Sequence, residues 1–211
     1  MEFNLSRVEA KLYQKLNTPQ KIQDYLNTLA IHPSHEDNTS WSPRLVMRHK
    51  QAHCMEGALL AASVLWYHGH PPLLLDLVAH ATDYDHVVVP FKQGGYWGAI
   101  SKTNYSVLRW RDPVYLSIRE LVMSYFHEYY LPDGTKSLWS FSKPFNLKQL
   151  GKDWVTAEKS LLYIAEKLDK SPHEKIIQPG MQKNLRRAEK IEIKAGDLVV
   201  WQPGKRPRRM I

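Results

Sequence analysis

At 211 residues and 43% apolar content, the chain suits one domain, or one domain with a small appendage, and can bury a sizeable core. A single cysteine excludes an internal disulfide framework and a multi-cysteine zinc site. No apolar run reaches bilayer length, and Met1-Glu2-Phe3-Asn4-Leu5 lacks the basic start and apolar stretch of a signal peptide, so a soluble, cytoplasmic protein is expected.

In chain order, Ser6-Arg7-Val8-Glu9 reads as a capping box opening a first helix, with Val8, Leu12 and Leu16 on one face. Thr18-Pro19 opens a second helix whose buried stripe is Ile22, Tyr25, Leu26 and Leu29. Residues 31–50 are polar, contain Pro33 and Pro43, and are read as a long loop. A helix over about residues 52 to 67 is apolar or small nearly all round, as a central helix is. Leu73–Val78 reads as a buried strand. Two further strands, 85–91 and 96–101, flank Lys92-Gln93-Gly94-Gly95, a hairpin signal. Asp112-Pro113 is expected to start another helix, Leu138–Phe141 a short strand, 153–168 a helix and Ala195–Trp201 a last strand. Helices precede a β-rich part, which points to α+β. The expected division is a domain over 1–170 and a basic extension over 171–211.

Cys54 stands at the start of the apolar helix, where unpaired backbone N–H groups stabilise a thiolate and can hold an oxyanion. His86 stands near the start of a strand and can act as general base and then acid. A third group should orient the imidazole. A Gln93-Gly94 turn sets residue 86 opposite 101, and a Gly94-Gly95 turn sets it opposite 103. The orienting group is therefore sought among Ser101, Lys102, Thr103 and Asn104. Asn104 has the best acceptor chemistry and Ser101 is the weaker alternative. Asp85 should face away from His86, and Asp112 is already explained as a helix cap.

The stretches Cys54–Ala62, Asp85–Val89 and Tyr96–Ser101 resemble the transglutaminase-like branch of the papain-like fold, over roughly residues 18–130. The resemblance implies a central helix carrying the cysteine, packed against an antiparallel sheet. It implies a Cys–His–Asp triad for acyl transfer or amide hydrolysis through a thioester, on a peptide or amide substrate. Cys54 and His86 carry over directly. Ser101 occupies the position of the family aspartate, and Asn104 is its expected substitute. Gln51 is the nearest match to the glutamine that serves the oxyanion hole in papain-like enzymes, although its spacing differs. Trp97 could wall an acyl pocket.

Two other functions compete. The same fold with a decayed triad would be a binding module. A nucleic-acid binder would use the tail, since residues 171–211 hold ten Lys/Arg against four Asp/Glu and end in Gly204-Lys205-Arg206-Pro207-Arg208-Arg209. That cluster could also meet an acidic partner. No aromatic-interleaved binding motif accompanies it, which ranks this function third. No cofactor and no metal are expected. His49 and His53 share an i, i+4 spacing but straddle the helix start, and His32, His35, His68 and His70 read as loop histidines.

Overall fold

A computed structural model describes residues 3–32 and 40–200. It is α+β, with an antiparallel sheet between helical layers.

The first helix, α1 (Arg7–Lys15), carries the expected capping box between Ser6 and Glu9. Thr18 caps α2 (Pro19–Thr28), with Pro19 in its first turn. A parallel pair, β1 (Ala30–Ile31) and β2 (Gln51–Ala52), follows. Between them lies α3 (Pro43–His49), where a loop was expected. The prolines suggested irregular chain, but Ser42-Pro43 is an N-cap followed by proline in the first turn. The Ser42 hydroxyl accepts from the Leu45 N–H. Lys50 ends the helix in the left-handed region, at φ 58°.

The central helix, α4 (Cys54–Tyr67), is buried at every residue from Met55 to Trp66. Its uniform apolar character is thus explained by neighbours on all sides. The main sheet contains β3 (Leu73–Ala79), β4 (His86–Gln93), β5 (Tyr96–Ile100), β6 (Arg111–Tyr115), β7 (Leu138–Ser142) and β9 (His173–Lys175), in the order β6-β5-β4-β3-β7-β9. The short β8 (Phe145–Asn146) also pairs with β3. Every pairing in this sheet is antiparallel.

Alternation divides the core. Leu74, Val87, Val89 and Ile100 pack with α4. Leu75, Leu77, Val88 and Ala99 pack with α5 (Ile118–Phe126) on the other face. The β4–β5 hairpin turns at Gly94-Gly95, whose φ values of 59° and 90° need glycine-like freedom. Its register pairs Gln93 with Tyr96 and Val89 with Ile100. Continued by three residues, that register sets His86 level with position 103, as the Gly94-Gly95 turn requires.

Three further sequence expectations change. Asp112-Pro113 lies in β6, at the sheet edge, where a proline without an N–H is tolerated. The Asp112 carboxylate accepts from the Trp110 indole, and Ser117 caps the helix instead. The expected helix over 153–168 is a single 3-10 turn at Asp153–Val155 and then α6 (Leu162–Asp169). Between them the chain turns to bond residues 40–42: Leu161 donates to the Ser40 carbonyl, and the Ser42 hydroxyl donates to that of Ala157.

The expected last strand is replaced by α7 (Lys190–Gly196) and one bridge, Val199 to Tyr105. Gly196 lies so close to Tyr130 that a Cβ would come within 2.0 Å of its hydroxyl. Within 171–200, β9 joins the main sheet through β7, and Ile176 and Ile177 are buried. Trp201 and the Gly204–Arg209 cluster lie outside the described residues. Among the described residues, no helix is long and apolar enough to cross a membrane.

Candidate active site

Cys54 is the first residue of α4, and His53 is its N-cap. Cys54 and His86 line one cavity of about 870 Å³. His86 opens β4, and the backbone N–H groups of Val87 and Met55 lie near enough to the thiol to favour its charged form. Val87 directly follows His86, so the strand that carries the imidazole also contacts the sulfur. Among the described residues, no hydrogen bond joins the thiol to the imidazole.

His86 Nε2 lies 2.8 Å from Ser101 Oγ. That hydroxyl donates to the Leu108 carbonyl at 2.7 Å. With its proton committed there, Ser101 meets His86 as an acceptor. The imidazole proton therefore sits on Nε2, and Nδ1 keeps a lone pair. Ser101 is itself clamped. Gln23 Nε2 donates to the Ser101 carbonyl and Gln23 Oε1 accepts from the Ser101 N–H, both at 2.9 Å. The next residue, Lys102, is buried and donates to the Leu26 and Leu29 carbonyls at the end of α2. The segment that orients His86 is thus tied twice to α2.

Burial sets the electrostatics. His86 is 5% exposed, and burial assisted by the Arg111 charge holds its imidazole down to about 4. Burial pushes the Cys54 thiol up, with the Val87 and Met55 N–H groups acting the other way. Near neutral pH both groups are uncharged. Lys102 is lowered to about 8, chiefly by burial.

The remaining sequence candidates are placed as follows. Ser101, not Asn104, meets His86 Nε2. Asn104 lines the cavity, and its carbonyl accepts from the Val200 N–H. Gln51 is in β2, opposite Ala30, and is not a lining residue of the cavity. Trp97 is in β5 opposite Lys92, whose ammonium lies 5.5 Å from its ring centre, and it too is away from the cavity. The Asp85 carboxylate accepts from the Ala79 N–H at 2.7 Å.

Sequence reasoning missed His32 and Glu56. Glu56 is fully buried in the first turn of α4 and accepts from the backbone N–H groups of Trp41 and His53. Its carboxylate also meets His32 Nδ1 at 3.0 Å and His53 Nε2 at 3.4 Å. The three-residue spacing from His53 to Glu56 is a capping signal that could have marked the carboxylate. Nothing local in the sequence marks His32, which arrives through the β1–β2 pairing and stacks on Trp41 at 3.8 Å. His49 faces Trp41 instead, at 4.6 Å.

Comparison with known proteins found no family model that matches this chain and no curated protein that matches it.

Proposed function

We propose that Cys54, His86 and Ser101 form the working unit of a cysteine-dependent acyl-transfer enzyme on a transglutaminase-like, papain-like fold. The observation that carries this is the His86–Ser101–Leu108 chain beside the cavity that Cys54 lines. It leaves the Nδ1 lone pair of His86 as the base and supplies the orientation that the family obtains from an aspartate.

Attack by the Cys54 sulfur on a carbonyl carbon would pass the thiol proton to His86 Nδ1. The imidazolium would then protonate the leaving amine as the carbon–nitrogen bond breaks, leaving a thioester. Water would release the acid; a primary amine would give a new amide. The first-turn N–H groups of α4 have no intrahelical partners and suit a developing oxyanion. Because the resting pair is uncharged, proton transfer accompanies attack and no thiolate is stored.

The test is intact-mass analysis after mixing the protein with an activated ester. A single acyl adduct on Cys54 should appear and decay, faster when a primary amine is present. A protein that acquires no adduct at Cys54 would be a binding module on this fold, and the enzyme assignment would fail.

A further inference from the structure

A capping carboxylate normally sits at a helix end in water, but Glu56 has no exposure at all. Its two backbone donors supply dipoles and no net charge. A buried carboxylate needs a positive partner. The groups that converge on it are two imidazoles, of His32 at 4% exposure and of His53 at 14%. One ligand atom from each of the three residues fits within a span of 4.8 Å.

We propose that His32, His53 and Glu56 form a binding site for a zinc-class divalent ion, opening onto the cavity. In a tetrahedral zinc site, bonds of about 2.0–2.2 Å place neighbouring donor atoms roughly 3.3 Å apart. With Glu56 Oε1 as the ligating oxygen, His32 Nδ1 stands at 3.1 Å and His53 Nε2 at 3.4 Å, so both nitrogen–oxygen separations match edges of such a tetrahedron. Two imidazoles and one carboxylate are also the borderline donor set that suits zinc.

The mounts are stiff. His53 and Glu56 belong to the start of α4. The His32 N–H bonds the Ala52 carbonyl, and its ring is held flat against Trp41. The Trp41 and His53 N–H bonds to Glu56 act as the outer-shell support that fixes a ligating carboxylate. His32 and His53 both line the cavity, so a fourth position would face it.

Binding requires nothing of the acyl-transfer assignment, and its test can therefore be separated from it. Zn²⁺ alone is titrated into the full chain and into Cys54→Ser, with bound metal measured after dialysis and the melting temperature followed. One ion per chain, retained in Cys54→Ser, is expected, with a zinc-dependent rise in melting temperature. His53→Ala and His32→Ala should each weaken binding by at least about tenfold, and Glu56→Gln, which keeps the side-chain shape, should do the same. A wild-type melting temperature unmoved by zinc, with no retained ion, would overturn the site without recourse to any variant. Loss of binding in Cys54→Ser would also overturn it, by placing the metal on the thiol.

Discussion

Gly57→Ala is a change that helix propensity alone would favour. Alanine in a helix interior gains about 1 kcal/mol over glycine. At Gly57, however, an added Cβ would stand 2.3 Å from the Lys102 Cβ and 2.9 Å from its Cγ. Lys102 cannot swing away. Its Cβ is fixed to the backbone at one end, and its ammonium is held by the Leu26 and Leu29 carbonyls at the other. Either the strand end or α4 must move. Overpacking of this kind costs about 1–3 kcal/mol, and a clash held at both ends belongs in the upper part of that range. Set against the propensity gain, the net loss should be about 1–2 kcal/mol, or a fall in melting temperature of about 2–8 °C for a domain of this size. Urea unfolding followed by tryptophan fluorescence would measure it. The acylation rate should fall as well, because Ser101 precedes Lys102 in the displaced segment. A Gly57→Ala protein as stable as wild type, or more so, would refute this account of how α4 and the orienting segment fit together.

His86 predicts a pH dependence of stability. Its folded value of about 4 lies below the ordinary 6.5, so the unfolded chain takes up the proton first as pH falls. Wild-type stability should therefore fall by about 3 kcal/mol relative to His86→Gln between pH 7 and pH 4. A difference constant over that interval would contradict a buried, neutral imidazole. Gln23→Leu should strand the Ser101 N–H and carbonyl, lowering stability by about 2 kcal/mol and slowing acylation. Gln23→Glu keeps the acceptor for the N–H and should retain more of both. Equal acylation rates in Gln23→Leu and wild type would show that the clamp does not position Ser101.

The parts of this molecule legible in its sequence are those set by local chemistry. Ser6 and Glu9, Thr18 and Pro19, and Gly94-Gly95 each specify a helix start or a turn through neighbouring atoms. The uniform burial of α4 followed from its composition. Pro113 misled because proline in a first helical turn and proline on a sheet edge look alike locally, and only the sheet order separates them. The 153–168 stretch has helical periodicity, yet its middle bonds to residues 40–42, a partner more than a hundred positions away. The site divided the same way. Cys54 and His86 announced themselves by residue type and mount. The choice of Ser101 over Asn104 depended on where the β4–β5 pairing stops. Gln23 and His32 reach the site through tertiary contacts that no spacing encodes.

The central claim is that Cys54, His86 and Ser101 act as one unit. The most direct test is the rate at which an activated ester acylates Cys54 in wild type, His86→Gln and Ser101→Ala, read by mass at matched pH. General-base assistance is worth about 10²–10⁴-fold. His86→Gln should therefore be at least about a hundredfold slower, with Ser101→Ala between it and wild type and all three proteins folded. Equal rates in the three would contradict the account, leaving Cys54 as a cysteine at a helix start with no partner in chemistry.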